Sequence, residues 1–206
     1  MSFITTVPVA EATDDVRKMY EQQQASLGYV PNYAKVFSLR PGVMAGWRGL
    51  LGSIRATLDT RRYELVTLAA ARALRSSYCS LAHGTVLRDQ FYDVAQVGRI
   101  AEDFTSGGLA PADVAIMRFA EKMVHDASSV TEADVQTLRE HGLTDPEIFD
   151  VAAAAAARCF FSKLLDALGA EPDAAYNDLE ADLRQRLTVG RPISAERVEQ
   201  LAQEDA

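Results

Sequence analysis

Apolar residues recur every three or four positions along most of this sequence. Between Pro41 and Leu58, for instance, the apolar side chains fall at positions 43, 44, 47, 50, 51, 54 and 58. This spacing places them on one face of a helix. No stretch shows the sustained alternation of apolar and polar residues that a half-buried strand would require. The sequence therefore predicts an all-α protein, a multihelical bundle of eight to ten helices with no sheet.

Capping and helix-breaking residues divide this pattern into successive helices. The first is predicted from Thr13, a favourable N-cap, to Gly28, which readily adopts the left-handed conformation that ends a helix. A turn is predicted at 29–32, because the residue before Pro31 avoids the α region. Further helices are predicted to begin at Pro41, Thr60, Ser76 or Ser77, Val94, Pro111, Thr131, Asp145, Tyr176 and Ser194. The last of these is predicted to be a charged helix that ends at Gln203.

The composition indicates one compact domain and excludes two classes of partner. With 206 residues, 48% of them hydrophobic, the chain is long enough for a single well-packed domain, which we assign to residues 1–206. A net charge of −8 and a pI near 4.9 argue against binding to nucleic acid or to an anionic membrane. A small molecule or a second copy of the chain is the expected partner.

The two cysteines and the N-terminus indicate a reducing compartment. Cys79 and Cys159 alone do not form a disulfide framework. The N-terminus has no signal-peptide features, and no apolar run approaches the ~18 residues of a membrane span. We therefore expect a cytoplasmic protein. The scattered histidines and cysteines lack metal-ligand spacing, so neither a metal nor a cofactor is expected.

The segment Ser76–Gly84 is the candidate site for chemistry. Residues three and four apart share a helix face, so Ser76, Cys79 and His83 are predicted to point the same way, with Cβ atoms about 5–6 Å apart. Serines favour N-caps, so Cys79 is expected in the first turn of a helix, where the helix dipole and an imidazole favour a thiolate. The alternative is structural, because cysteine is also among the most frequently buried residues.

The segment ELVTLAAARALRSSYCSLAHG resembles the signature of the alkyl hydroperoxidase D / carboxymuconolactone decarboxylase family. Its redox members carry a Glu followed, about a dozen residues later, by Cys-x-x-Cys-x-x-x-His. Glu64, Cys79 and His83 match the Glu, the second Cys and the His, whereas Ser76 stands where the first Cys would be. Residues 30–44 and 138–173 also resemble the family. The resemblance thus spans a core of residues 15–175 and leaves 174–206 as a helical C-terminal extension.

The resemblance implies roles for these residues. Cys79 would attack a peroxide, His83 would take or relay its proton, and Glu64 would orient His83. Ser76 and Tyr78 are secondary site residues, and Ser76 cannot form a disulfide with Cys79. The implied function is a one-Cys peroxidase that an external thiol or redox protein reduces. A decarboxylase-type enzyme acting on a lactone or carboxylate, and a catalytically inactive helical protein, are the alternatives.

Two expectations concern assembly and the reach of Glu64. The resemblance to the family and the apolar helix faces imply a homo-oligomer, either a dimer, a trimer or a hexamer.

In one straight helix Glu64 would lie about 22 Å from Cys79, and a hairpin at Ser76 would leave the two residues roughly 10–15 Å apart along the helix axis. Contact therefore requires a helix crossing or a Glu64 from a neighbouring subunit. Cys159, within a small-residue seam, is expected to fill the core rather than to resolve Cys79.

Overall fold

The computed structural model describes residues 2–201. Within this range the chain forms α-helices and short 3-10 helices, and its only β pairing is an isolated bridge between Val30 and Glu199. The α-helices are α1 Asp14–Leu27, α2 Asn32–Phe37, α3 Pro41–Arg55, α4 Thr60–Ala73, α5 Ser77–Gln90, α6 Val94–Glu102, α7 Pro111–Asp126, α8 Glu132–Glu140, α9 Asp145–Ala167 and α10 Ala181–Leu187. The 3-10 helices are Val9–Glu11, Ala127–Ser129 and Ala174–Asp178. The prediction of an all-α fold with eight to ten helices is confirmed. No helix within the described range is long and apolar enough to cross a membrane.

Helix α4 is the centre of the fold. Every residue from Tyr63 to Ala71 is buried, and the helix packs against α5, α7 and α9. Leucines and valine fill the space between these helices, whereas the alanines at 69–71 let neighbouring backbones approach. A helix buried on all sides is the expected result of such a composition.

The short connection between α4 and α5 makes these two helices antiparallel neighbours. It consists of residues 74–76, and Arg75 adopts a positive φ of 56°. The amide of Ser76 then donates to the carbonyl of Ala71, which closes the turn. Every site residue that the sequence proposes lies on this hairpin.

Two helix caps differ from their predicted positions by one residue. Helix α4 is capped by Asp59, whose carboxylate accepts from the amide of Arg62, rather than by Thr60. Helix α9 begins with a capping box between Thr144 and Glu147, so Thr144 rather than Asp145 is its cap. A short polar side chain one residue earlier satisfies the same unpaired amides.

The C-terminal extension is only partly helical. Within it, the α-helix is confined to α10, and residues 194–201 form no helix, contrary to the prediction; 202 and 203 lie outside the described residues. The amide of Ser194 donates to Pro172, and the amide of Leu201 donates to the Gln24 side chain. These contacts with distant elements replace the helical hydrogen bonds. Conversely, α2 forms directly after the predicted turn and was not foreseen.

Candidate active site

Glu64 of α4 and His83 of α5 form a buried pair. Oε2 of Glu64 lies 2.6 Å from Nδ1 of His83, and the two side chains are only 4% and 11% exposed. Because Nδ1 faces a carboxylate, Nδ1 carries the ring proton and Nε2 keeps its lone pair. Glu64 lies four residues after the start of α4, beyond its first turn. Its carboxylate contacts His83 rather than the free amides at the helix N-terminus.

The contact between Glu64 and His83 is made within one chain. Glu64 precedes Arg75 by 11 residues and His83 follows it by 8, so an antiparallel hairpin places them about three residues, or ~4.5 Å, apart along its axis. The roughly 10–15 Å expected for a hairpin separates Glu64 from Cys79, not from His83. His83 lies one helical turn farther along α5 and is the residue that Glu64 meets.

Cys79 contacts an arginine of α9. It is the third residue of α5, as predicted, and its side chain is buried. Nη1 of Arg158 donates to Sγ of Cys79 over 3.4 Å. In the described part of the chain no hydrogen bond joins the His83 ring to Sγ. The nearest charged group in hydrogen-bond contact with the thiol is therefore a guanidinium.

Arg158 is the site residue that the sequence reasoning missed. It is 4% exposed, and its Nη2 donates to the hydroxyl of Tyr63 over 3.4 Å. Its guanidinium carbon lies 5.6 Å and 5.5 Å from the ring centroids of Trp47 and Phe161. Its Nε is buried without a hydrogen-bond partner. The available signal was a single arginine in the otherwise apolar run VAAAAAARCFF of α9.

The electrostatic environment keeps His83 neutral near neutral pH. Burial is the main cause that lowers the pKa of His83 below its ordinary value of 6.5, and the charge of Arg158 adds to this effect. The carboxylate of Glu64 opposes both. Burial likewise raises the pKa of Tyr63, which Arg158 lowers in part. The site thus holds a neutral imidazole base and a neutral phenol beside a fixed cation.

Ser76 and Tyr78 lie near Cys79 in sequence but have other surroundings. Ser76 is the buried N-cap of α5, and its hydroxyl has no hydrogen-bond partner among residues 2–201. The Tyr78 hydroxyl donates to Asp173 over 2.5 Å and is buried in a separate polar network. The structure therefore brings Glu64 and His83 together and turns Tyr78 away from them.

Cys159 forms no disulfide with Cys79. Both cysteines are free thiols, and Cys159 is half-buried. It follows Arg158 in α9, and successive side chains of a helix point about 100° apart. Burial raises the pKa of the Cys159 thiol, which disfavours its reactive thiolate. Within residues 2–201, no group of three or more His, Cys, Asp or Glu side chains could hold a metal ion.

Comparison with known proteins identifies the fold. No family model and no curated protein matches the sequence. The chain is similar to the crystal structure of an alkylhydroperoxidase AhpD core from Ralstonia eutropha, a peroxidase-related protein, with 26% identity, 85% of this chain and 94% of that chain covered, and a TM-score of 0.77. A peroxidase-related protein from a Silicibacter species gives 23% identity, 84% and 92% coverage, and a TM-score of 0.76.

A debrominase has the same fold. A complex of the debrominase Bmp8, in a Cys→Ala variant, with 2,3,4-tribromopyrrole matches with 18% identity, 91% and 98% coverage, and a TM-score of 0.69. The fold is thus shared by peroxidase-related proteins and by an enzyme that acts on a brominated ring. The all-α architecture and these neighbours lead to one conclusion: the chain has the fold of the AhpD-like, peroxidase-related proteins.

Proposed function

We propose that this protein is a one-Cys, alkylhydroperoxidase-like oxidoreductase that reduces organic hydroperoxides with Cys79. The observation that carries the proposal is the buried pair of Glu64 and His83, 2.6 Å apart, one helical turn beyond Cys79. A carboxylate that fixes one ring nitrogen leaves the other nitrogen free to handle a proton. The similarity to peroxidase-related proteins supports the same chemistry.

The oxidative step uses one thiol and one hydroperoxide. The sulfur of Cys79 attacks the terminal oxygen of ROOH, so that an S–O bond forms and the O–O bond breaks. Sulfur loses two electrons, and the peroxide gains them. Nε2 of His83 accepts the thiol proton, directly or through one water, and delivers it to the departing alkoxide. The products are the sulfenic acid of Cys79 and an alcohol, ROH.

The reductive step requires a thiol from outside the site. Ser76 occupies the position of a resolving cysteine and has no sulfur with which to form a disulfide. A first external thiol condenses with the sulfenic acid, which gives a mixed disulfide and water. A second thiol then releases Cys79 and leaves as a disulfide. The expected reductant is a small thiol or a redox protein.

An exposed apolar face supports the proposal of a homo-oligomer. Val43 and Leu50 of α3, and Phe149 and Phe160 of α9, are large apolar side chains exposed on two helices that pack together. The Phe160 ring lies 5.7 Å from the ring of Trp47, which in turn covers Arg158. A second copy that packs here would bury these exposed side chains against the helices that carry Trp47 and Arg158.

The test of this function is thiol-dependent consumption of cumene hydroperoxide. Wild-type protein and a Cys159→Ser variant are expected to consume the hydroperoxide at similar rates with excess dithiothreitol, whereas a Cys79→Ser variant is expected to match the buffer. A Cys79→Ser variant that consumes the hydroperoxide as fast as wild type would refute the proposal. No turnover in any protein would instead favour the decarboxylase-type or inactive alternative.

A second candidate is reductive debromination of a halogenated aromatic ring by the same cysteine. The aromatic side chains of Trp47, Tyr63 and Phe161 around Arg158, together with the similarity to the debrominase Bmp8, favour it. In this reaction a C–Br bond is replaced by C–H, bromide leaves, and two thiols supply two electrons as they form a disulfide. Release of bromide from 2,3,4-tribromopyrrole with excess thiol, abolished by Cys79→Ser, would support it over peroxide reduction.

A further inference from the structure

Arg158 is a buried cation without a carboxylate partner. Its hydrogen bonds go to the Cys79 sulfur and the Tyr63 hydroxyl, and no acidic side chain forms an ion pair with it among residues 2–201. A charge removed from water is costly unless an opposite charge lies beside it. The faces of Trp47 and Phe161 supply only a part of this compensation, about 0.5–2 kcal/mol for each cation–π contact.

Among residues 2–201, two groups in hydrogen-bond contact with Arg158 can become negative. One is the phenol of Tyr63, which burial keeps in its neutral form because it raises the phenol pKa. The other is the thiol of Cys79, and a thiol loses its proton more readily than a phenol. Burial alone would lower the pKa of Arg158, but the Cys79 sulfur and the Tyr63 oxygen outweigh it and hold this pKa above its ordinary value.

We propose that the guanidinium of Arg158 stabilises the thiolate that Cys79 forms when it loses its proton, and is thereby a catalytic residue of the site. The proposal adds a residue to the proposed peroxidase function, and the role of Arg158 in catalysis rests on that function. It divides the site between two partners: Arg158 compensates the charge on sulfur, whereas Glu64 and His83 handle the proton. The Nε–H of Arg158 is buried and has no hydrogen-bond acceptor among residues 2–201, so the guanidinium is not fully satisfied by the protein.

The test measures how fast iodoacetamide alkylates Cys79 as a function of pH. All proteins carry Cys159→Ser, so that one thiol reacts. Arg158→Met removes the cation and keeps an unbranched side chain, whereas Arg158→Lys keeps the charge. Arg55→Met is the matched control, because Arg55 lies 5.3 Å from the Tyr63 ring centroid and makes no hydrogen bond to Cys79.

We expect wild type to titrate below the ordinary thiol value of about 8.5. Arg158→Met should raise the Cys79 pKa by at least about one unit, which lowers the alkylation rate at least about tenfold below both pKa values. Arg158→Lys should lie between the two, and Arg55→Met should stay within about 0.3 units of wild type. An unchanged Cys79 pKa in Arg158→Met would overturn the proposal.

The outcome does not depend on whether the protein reduces peroxide. A raised Cys79 pKa in Arg158→Met without peroxide turnover in wild type would keep the role of Arg158 and remove the peroxidase function. The opposite result, turnover in wild type with an unchanged pKa in Arg158→Met, would keep the function and remove this role. Replacement of a buried charge by an apolar group is often tolerated, and far-UV circular dichroism checks the fold of each variant. If Arg158→Met fails to fold, an unchanged Cys79 pKa in Arg158→Lys would overturn the proposal by itself.

Discussion

Two buried carboxylates, Glu64 and Asp173, have very different surroundings. Glu64 contacts an imidazole base, the ring of His83. Asp173 accepts from the hydroxyl of Tyr78 over 2.5 Å, the amide of Asn32 over 2.7 Å and the hydroxyl of Tyr29 over 3.4 Å. None of these three donors ionises near neutral pH. The first carboxylate is placed to influence a proton, and the second is placed to hold chain segments together.

The two networks meet at neighbouring residues of α5. Tyr78 directs its hydroxyl to Asp173, and the next residue, Cys79, directs its sulfur to Arg158. Burial raises the pKa of the Asp173 carboxyl, and its three hydrogen bonds lower it in part. Tyr78 and Cys79 therefore belong to different parts of the protein, although they share the first turn of one helix. Substitutions on the two sides should separate activity from stability.

The largest expected effect is the loss of Cys79. Cys79→Ser removes the only sulfur at the Glu64–His83 site and should abolish thiol-dependent peroxide consumption. Tyr78→Phe, one residue away, removes the hydrogen bonds that its hydroxyl donates to Asp173 and accepts from the amide of Tyr33. It should cost about 2 kcal/mol of unfolding free energy, with the rate kept within about twofold. Peroxide assays and urea unfolding check both. A Tyr78→Phe variant as inactive as Cys79→Ser would contradict the separation.

The second effect tests Glu64. Glu64→Gln keeps an oxygen near Nδ1 of His83 but removes the charge that orients and supports the imidazole, and we expect peroxide turnover to fall about 100-fold. The unfolding free energy should change by less than about 1 kcal/mol, because the buried hydrogen bond is kept. The checks are the peroxide rate per folded molecule and the urea midpoint. A large loss of stability with normal turnover would give Glu64 the structural role that we assign to Asp173.

The third effect is the converse substitution, Asp173→Asn. It replaces one of the acceptor oxygens by an amide donor and leaves a donor of the network without its partner, which should cost about 2 kcal/mol of unfolding free energy. Peroxide turnover per folded molecule should stay within about twofold of wild type. Urea unfolding and the peroxide assay measure both quantities. Unchanged stability would show that this network does not tie the chain segments together.

The smallest effect is a shift in pH dependence. The pKa of His83 is lowered, so its neutral base form persists below pH 6.5, and the acidic limb of Cys79 oxidation should lie below that value. Glu64 raises this pKa, and therefore Glu64→Gln should move the limb to lower pH; Arg158→Met should move it to higher pH. The lowered pKa of His83 also affects the free energy of unfolding. Its contribution is fully present above pH 6.5, the ordinary value for the unfolded chain, and is lost as the pH falls through the lower pKa of the folded protein. Stopped-flow rates of Cys79 oxidation between pH 4 and 8, compared among these proteins, check the order of the limbs.

Much of the fold could be predicted from the sequence because its signals are local. Helical periodicity gave the all-α class, and the capping box of α8 and the helix start at Ser77 follow from nearby side chains. The prediction of a final helix was wrong because residues 194–201 form hydrogen bonds with Gln24, Val30 and Pro172, which are distant in sequence. Local sequence patterns carry no information about hydrogen-bond partners that are distant in the sequence.

The candidate site shows the same division. Glu64, Cys79 and His83 could be proposed from spacing and resemblance, and the hairpin geometry accounts for the Glu64–His83 contact. Arg158 could not be placed, because its contact with Cys79 depends on how α9 packs against the hairpin, 79 residues away in sequence. Its one local signal, a charge within an apolar helix, does not say which group it faces.

The most direct test of the central claim is a chemical trap for oxidised Cys79. Fully reduced Cys159→Ser protein is treated with one equivalent of cumene hydroperoxide in the presence of dimedone, and its peptides are analysed by mass spectrometry. We expect a dimedone adduct on Cys79 of the Cys159→Ser protein, and a much slower adduct when Glu64→Gln is added. A Cys79 that remains an unmodified thiol while the hydroperoxide persists would contradict it.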